Sequence, residues 1–453
     1  MFLTRNPTTG DEIERFEYAP ARDTEAILAQ AHRAASEWRA TELNARTMLL
    51  RAVALRLREQ SESLAAGAVR EMGKPLVQAR AEIEKCALCC EYFADNGAAM
   101  LADKPHVSDA SRSFVAFRPL GTVLAIMPWN FPFWQVFRAA APALMAGNTI
   151  LLKHAENTTR CGLEIERIFA DVGAPPGLFR TLLISNEDAD ALIADPRIAA
   201  LTLTGSERAG ITVASAAGAV LKKCVLELGG SDAFIVLDDA DIVAAAAAAV
   251  RARFQNNGQS CIAAKRFIID ARVHDDFLDH FIEGARALRI GDPMDDATEL
   301  GPCAREDLRE TLDAQVRATV ECGARTVLGG KRIERPGFFY EPAIVTGVLP
   351  GQRMFDEEVF GPAAAVIRAD DAQHALALAN QSRYGLGCAV WTSDVERALH
   401  MSASVEAGCV FINGLVASDP RLPFGGIKRS GYGRELSAFG LHEFTNIQTV
   451  WIK

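Results

Sequence analysis

Several features that would assign a class at once are missing from this sequence. The longest apolar run, Ile242 to Val250, is mostly alanine and falls far short of the ~20 residues that a membrane-spanning helix needs. Basic residues are outnumbered, 48 against 58 acidic ones, and the net charge of −10 disfavours nucleic acid and anionic membranes as partners. We therefore expect neither partner.

Signatures of metal and dinucleotide binding are also scarce. The ten cysteines are irregularly spaced, and the pair Cys86 and Cys89 has neither a second pair nor a histidine pair nearby, so we expect no metal site. The chain starts without a secretory leader, which predicts free thiols in a reducing, cytoplasmic compartment. The glycine fingerprint GxGxxG is absent.

The chain does have the composition of a globular protein. It has 453 residues, 49% of them hydrophobic and 23% charged, which fits two or three domains. Residues 24–70 and 76–103 have helical spacing. From residue 121 short apolar runs alternate with helices, which predicts an α/β fold with a doubly wound parallel sheet.

The predicted elements have definite positions. We expect a helix over 134–145 and strands at 122–127, 149–152, 181–184, 199–203, 224–228, 234–237 and 266–269. The tail, Thr445–Ile452, is rich in residues that favour strands, and we expect it to pair with a neighbouring subunit.

Four residues directly follow predicted strands. They are Asn130, Lys153, Glu156 and Gly205. Because ligands of parallel sheets bind beyond the carboxyl ends of the strands, these positions are candidates for a binding site.

Taken singly, each candidate allows two interpretations. Cys261 follows the polar loop Gln255–Gln259 and is either a reactive thiol or a small buried apolar residue. Glu227 ends a strand just before Gly229 and is either a carboxylate exposed to a cleft or an ordinary strand-end charge. Asn130 lies between two prolines and is either a functional side-chain amide or a residue that forms a turn. Thr204–Gly210 is a phosphate-binding helix start or a plain turn.

Eight stretches in a fixed order resemble the aldehyde dehydrogenase superfamily over nearly the whole chain. They are Asn6–Gly10, Pro128–Pro132, Lys153–Glu156, Leu203–Ser206, Leu226–Gly230, Gly258–Cys261, Glu357–Pro362 and Pro423–Gly431. The resemblance implies a Rossmann-type cofactor domain, an α/β catalytic domain and a small oligomerisation element, assembled as a homodimer or homotetramer.

The resemblance also implies a mechanism. Cys261 would attack the aldehyde and form a thiohemiacetal, with the oxyanion held by the Asn130 amide and the backbone N–H of Cys261. Hydride would pass to a nicotinamide and leave a thioester, which water activated by Glu227 would hydrolyse; Glu227 would also help to deprotonate Cys261.

A nicotinamide cofactor follows from the same resemblance. Its ligands would be Trp129, Lys153, Glu156, Gly205, Ser206, Glu358 and Phe360. Lys153 and Glu156 would bind the adenosine ribose, Gly205 and Ser206 the pyrophosphate, and Glu358 and Phe360 the nicotinamide ribose. The carboxylate of Glu156 would repel a 2′-phosphate, so we favour NAD and keep NADP possible.

The short bacterial succinate-semialdehyde dehydrogenases are the branch that the sequence resembles most. Arg138 would bind the substrate carboxylate, or else form a surface or interface salt bridge. Gln255 stands where longer semialdehyde enzymes have a second arginine, and Ser418 would supply a hydroxyl instead. A broad aliphatic aldehyde dehydrogenase and a CoA-acylating enzyme are the alternatives; the presence of Glu227 disfavours the second.

Domain boundaries are also taken from the resemblance. We expect the NAD(P)-binding domain at 1–103 and 120–229 and the catalytic domain at 230–430. The oligomerisation element would combine 104–119 with 431–453.

Overall fold

Two mainly parallel β-sheets and a small antiparallel sheet organise the chain. The computed structural model describes residues 1–453. The helices are α1 (Ala21–Ala40), α2 (Leu43–Glu59), α3 (Ser61–Met72), α4 (Leu76–Met100), α5 (Trp134–Ala146), α6 (Thr159–Asp171), α7 (Asn186–Ala194), α8 (Glu207–Ala219), α9 (Ile242–Phe254), α10 (His274–Arg286), α11 (Glu306–Glu321), α12 (Arg353–Asp356), α13 (Ala372–Asn380), α14 (Val395–Ser402) and α15 (Ser437–Glu443).

The strands are named in the same chain order. They are β1 (Phe2–Arg5), β2 (Glu12–Phe16), β3 (Lys104–Pro105), β4 (Arg112–Pro119), β5 (Thr122–Met127), β6 (Thr149–His154), β7 (Phe179–Thr181), β8 (Ile198–Thr204), β9 (Lys223–Glu227), β10 (Asp232–Val236), β11 (Ala264–Asp270), β12 (Arg325–Leu328), β13 (Ala343–Thr346), β14 (Ala363–Ala369), β15 (Tyr384–Gly385), β16 (Gly387–Trp391), β17 (Cys409–Ile412), β18 (Ile427–Lys428), β19 (Gly431–Tyr432) and β20 (Thr445–Ile452).

The first large sheet has the order β19-β9-β8-β5-β6-β7, and β5 to β9 run parallel within it. Its central strands β6 and β8 are buried over nearly their whole length, as strands covered by helices on both faces are. The expected strand over 181–184 is displaced: β7 ends at Thr181 because the chain leaves the sheet there and begins α7 five residues later.

The second large sheet has the order β12-β13-β14-β11-β10-β16-β17 and is parallel except at β12. Its strands span residues 232–412, between the two parts of the chain that form the first sheet. Gly431 and Tyr432, which the predicted boundaries assign to the oligomerisation element, pair with Glu227 and Leu226 in the first sheet. The division into domains itself stays a prediction.

The third sheet has the order β20-β4-β3. The tail strand β20 pairs antiparallel with β4 of its own chain over eight residues, from Thr445 against Pro119 to Ile452 against Arg112. Its other edge has no partner strand, and the apolar side chains of Ile447 and Trp451 are exposed.

The largest hydrophobic core joins helices α2 to α5 to the first sheet. Cys86, Cys89 and Cys90 lie in this core on α4, fully buried and without disulfides. Since β5, β6, β8 and β9 are parallel, their carboxyl ends meet at one edge. That edge brings residues 129–130, 153–156, 204–206 and 227 together.

Candidate active site

The loop before Cys261 has an unusual backbone. Gln255–Gly258 form a 3₁₀ turn in which Asn256, Asn257 and Gly258 have φ angles of 55°, 57° and 70°. This left-handed region is costly for most L-residues, but glycine and asparagine adopt it readily. The polar composition that marked the loop in the sequence is therefore what its backbone requires.

Side-chain hydrogen bonds fix the loop in place. The amide of Asn257 donates to the carbonyls of Gly73 at 2.8 Å and Pro302 at 2.9 Å, and its oxygen accepts from the Gly301 N–H at 2.7 Å. Beyond the loop, Lys265 Nζ donates to the carbonyl of Cys261 at 2.5 Å. The position of the Cys261 backbone is thus determined from both sides.

The thiol of Cys261 is partly exposed and lines a cavity of about 280 Å³. Burial raises the pKa of this thiol to about 12, although the charges of Arg138 and Lys265 act to lower it. A thiol with such a pKa is protonated at neutral pH, and only the thiolate is a strong nucleophile. The site therefore needs a base.

Asn130 is buried directly beside this loop. Its Nδ2 donates to the backbone carbonyl of Gln259 at 3.0 Å. The backbone carbonyl of Asn130 accepts from Asn256 Nδ2 at 2.9 Å. A side-chain amide has two N–H donors, so one is left for a ligand. The Asn130 amide is thereby bonded to the backbone two residues before Cys261.

Glu227 is 2% exposed, and neither of its carboxylate oxygens has a hydrogen-bond partner. Burial, followed by the negative charge of Glu435, raises its pKa well above the usual range, while Arg138 and Arg434 oppose the shift. The backbone at Gly425 lies close to the Glu227 carboxylate. Only glycine permits this, since a Cβ at that position would lie 2.8 Å from Glu227 Oε1. Unpartnered buried carboxylates are rare and costly, and a strongly raised pKa is typical of a proton-transfer group.

The three predicted substrate residues, Arg138, Gln255 and Ser418, line the same cavity as Cys261. Arg138 is 2% exposed and forms an ion pair with the buried carboxylate of Glu435; a second nitrogen donates to Thr204 Oγ1 at 3.3 Å. Its charge is thus already paired, as in the salt-bridge alternative, but the pair is buried rather than at a surface. Gln255 is exposed at the cavity wall.

Most of the predicted cofactor residues lie along the carboxyl edge of the first sheet. Lys153 Nζ donates to Asn186 Oδ1 at 2.6 Å, and Glu156 Oε1 accepts from the Tyr18 hydroxyl at 2.7 Å. Ser206 caps α8, with its Oγ accepting from the Ala209 N–H at 3.3 Å. Lys153 and Glu156 each keep hydrogen-bonding capacity for a ribose.

A second group of predicted cofactor residues lies at the double glycine. Glu358 Oε1 accepts from the Gly230 N–H at 2.9 Å. A Cβ at Gly229 would lie 2.5 Å from Glu358 Oε2, so only glycine permits this approach. Trp129 and Phe360 are in edge contact, with ring centroids 5.6 Å apart.

Ser206 and Glu358 line one open groove of about 460 Å³. A helix N-terminus, a carboxylate and an aromatic pair along this edge are the groups that phosphates, ribose hydroxyls and a nicotinamide ring require. The residues therefore fit an NAD(P) cofactor.

Sequence reasoning missed three side chains around the site. Lys85 on α4 lines the cavity, Lys265 bonds to the Cys261 carbonyl, and Tyr18 holds Glu156. The helical spacing around Lys85 indicated only a helix, and Tyr18 lies 138 positions from its partner. No local signal could have found these contacts.

The fold and the candidate cofactor residues are those of a nicotinamide-dependent dehydrogenase, and comparison with known proteins specifies the family. The model of the aldehyde dehydrogenase family matches residues 2–450, and the chain belongs to this family. None of the fifteen helices combines the length and hydropathy that crossing a bilayer requires.

The relatives extend this result. The chain is 50% identical over 449 residues to the succinate semialdehyde dehydrogenase [NAD(P)+] Sad of Escherichia coli K12, covering 99% of this chain and 97% of the relative. It is 48% identical over 452 residues to succinate-semialdehyde dehydrogenase [NADP(+)] 1 of Mycobacterium bovis, covering 99% of both chains. The crystal structure of succinic semialdehyde dehydrogenase from Streptococcus pyogenes, in complex with NADP+, superposes with a TM-score of 0.98 at 36% identity, covering 100% of both chains.

Proposed function

We propose that this protein oxidises succinate semialdehyde to succinate, with NAD(P)+ as the hydride acceptor. The observation that carries the proposal is that Cys261, Arg138 and Ser418 line one cavity. A nucleophile for the aldehyde carbon thus shares a small enclosed space with donors for a carboxylate. The relatives named for this activity support the substrate assignment.

Cys261 acts as the nucleophile in this proposal. Its sulfur bonds to the aldehyde carbon while the thiol proton is transferred to a base, and the carbonyl oxygen becomes the oxyanion of a thiohemiacetal. The free N–H of the Asn130 amide and the backbone N–H of Cys261 stabilise that oxyanion. Removing one such donor typically slows a reaction by about 10²–10³-fold.

Glu227 acts as the base of the second step, the hydrolysis of the thioester. In its ionised form it removes a proton from water, which then attacks the thioester carbon and releases succinate and the Cys261 thiol. Both oxygens of Glu227 are free of protein donors, so they can accept that proton. Because burial and Glu435 raise its pKa, it is a stronger base than an exposed glutamate.

The cofactor residues hold NAD(P)+, whose nicotinamide, when bound, accepts the hydride that leaves the thiohemiacetal carbon. Lys153 and Glu156 bind the adenosine ribose, Gly205 and Ser206 the pyrophosphate, and Glu358 the nicotinamide ribose. Trp129 and Phe360 pack against this end of the site.

We also propose a preference for NAD. Tyr18 fixes one oxygen of Glu156 and leaves the other for a ribose 2′-hydroxyl, whereas a 2′-phosphate would meet a carboxylate. The Glu156→Ser variant should raise the ratio of the NADP to the NAD kcat/KM by at least tenfold. An unchanged ratio would remove Glu156 from cofactor selection.

The substrate proposal is tested with a kinetic panel. Wild-type enzyme is assayed with succinate semialdehyde and butanal, each with NAD and NADP, and products are analysed with and without CoA. We expect a higher kcat/KM for the semialdehyde and free succinate as product. Equal values for both aldehydes would indicate a broad aliphatic enzyme, and succinyl-CoA would indicate acyl transfer.

We further propose that the protein is a homo-oligomer and that it is located in the cytoplasm. The unpartnered edge of β20, with Ile447, Trp451 and Ile452 exposed, supports a homodimer or homotetramer. All ten cysteines are free, which supports the reducing cytoplasm. Light scattering and cell fractionation test the two statements.

A further inference from the structure

The cavity beside Cys261 is lined by four charged side chains, two cationic and two anionic. The carboxylates are those of Glu82 and Asp232. Glu82 forms an ion pair with Lys74 and accepts from the backbone N–H groups of Phe133 and Trp134. Asp232 accepts from the Gly387 N–H at 3.1 Å. Glu82 is therefore occupied by the protein, whereas Asp232 keeps its Oδ2 without a hydrogen-bond partner.

The cations differ in how they are paired. Arg138 is neutralised by Glu435 and stacks over the ring of Phe424, with 4.8 Å between the guanidinium carbon and the ring centroid. Lys85 has no carboxylate within 4.0 Å of its Nζ, since it appears in no ion pair of the chain. The carboxylate of Asp419, which is in its vicinity, is bound by Arg421.

The ammonium group of Lys85 contacts two other residues that line the cavity, Trp134 and Ser418. Its Nζ lies 4.3 Å from the ring centroid of Trp134 and donates to Ser418 Oγ at 2.9 Å. An ammonium group has three N–H donors, so two are left. An unpaired, largely desolvated cation is costly unless an anion binds to it.

Ser418 adds a directed donor. Its Oγ accepts from Lys85 Nζ and, at 3.0 Å, from Trp134 Nε1. A hydroxyl oxygen has two lone pairs, and both are used here, so the O–H proton has to point to a different acceptor. Lys85 and Ser418 thus present N–H and O–H donors side by side.

We propose that Lys85, together with Ser418, binds the carboxylate of the substrate. This inference rests on the proposed oxidation of a carboxylate-bearing aldehyde and adds Lys85 to Arg138 as a cation of the substrate site. Arg138 keeps its ion pair with Glu435.

The variant Lys85→Met tests this assignment. Charge-assisted hydrogen bonds contribute enough that kcat/KM for succinate semialdehyde should fall about 10- to 100-fold, mainly through KM, because the carboxylate is held equally before and during the reaction. The kcat/KM for butanal, which has no carboxylate, should change less than about threefold. Lys331→Met, at an exposed position, is the control for losing one positive charge.

The alternative outcomes are distinguishable. Equal losses of kcat/KM with both aldehydes would show that Lys85 has a structural role only. An unchanged kcat/KM for the semialdehyde would exclude Lys85 from substrate binding. Either result overturns the inference. If wild-type enzyme oxidises butanal but not the semialdehyde, the proposed function fails first. Should Lys85→Met not fold, Lys85→Gln provides the same comparison.

Discussion

The thiol of Cys261 is set by its environment to be mostly protonated at neutral pH. Burial raises its pKa to about 12, and the cations of Arg138 and Lys265 offset only part of the shift. We therefore expect the resting site to resist oxidation and alkylation, which both require the thiolate.

This environment predicts slow, pH-dependent alkylation. The rate at which iodoacetamide inactivates the enzyme should rise nearly tenfold per pH unit from pH 6.5 to 9.5, because the thiolate fraction rises in that proportion below the pKa. Residual activity is the measurement, and the exposed Cys322 is replaced by serine as a control. A rate that levels off near pH 8 would contradict the raised pKa.

Glu227 gives a second prediction at the residue scale. In Glu227→Gln, thioester hydrolysis loses its base, so steady-state kcat should fall about 10²–10⁴-fold, while one NADH per site is still released in a rapid burst. Stopped-flow absorbance measures both phases. A burst lost together with kcat would instead make Glu227 essential for forming the thiolate.

The same substitution tests the raised pKa of Glu227. A carboxyl whose folded-state pKa lies above its unfolded value adds stability at low pH and loses it as pH rises through the folded value. Glu227→Gln should therefore raise Tm at pH 8 and have a smaller effect at pH 5. A larger gain at pH 5 would contradict the sign of the shift.

At the scale of elements, the turn Gln255–Gly258 links Cys261, the proposed nucleophile, to the rest of the fold. Asn257→Ala removes three hydrogen bonds and places alanine at a φ of 57°, so we expect a loss of about 2–4 kcal/mol in stability. Chemical denaturation measures it, with Asn44→Ala on an exposed helix position as control. A loss below about 1 kcal/mol would mean that the turn is held by other contacts.

A feature of the fold or site could be predicted from the sequence only where neighbouring residues encode it. Strands β5, β6, β8 and β9 have continuous apolar runs, and the parallel-sheet rule then places Asn130 and Glu227 correctly at strand ends. β7 has only three residues, too few to fix its bounds, and the prediction missed them. The pairing of Arg138 with Glu435, 297 positions later in the chain, depends on tertiary contacts that no local pattern encodes.

At the scale of the whole molecule, the proposed assembly would use one sheet edge. β20 pairs with β4 inside the chain, so the predicted pairing with another subunit is left to its outer edge. Replacing exposed Ile447 and Trp451 with lysine should prevent strand pairing by charge repulsion and yield monomers. Light scattering measures the mass, with Val243→Lys, an exposed position on α9, as control. An unchanged oligomer would place the interface elsewhere.

The overall charge constrains how the substrate enters. At a net charge of −10 the protein repels an anionic aldehyde at long range, so attraction has to come from cations inside the cavity. Lys85 and Arg138 are the two that line it.

The covalent intermediate tests the central claim most directly. Glu227→Gln is mixed with NAD+ and succinate semialdehyde, quenched in acid after the burst, and digested for mass spectrometry. The account predicts a succinyl thioester on the peptide that contains Cys261 and on no other cysteine. NADH formation without that adduct, or an adduct on a different cysteine, would contradict it.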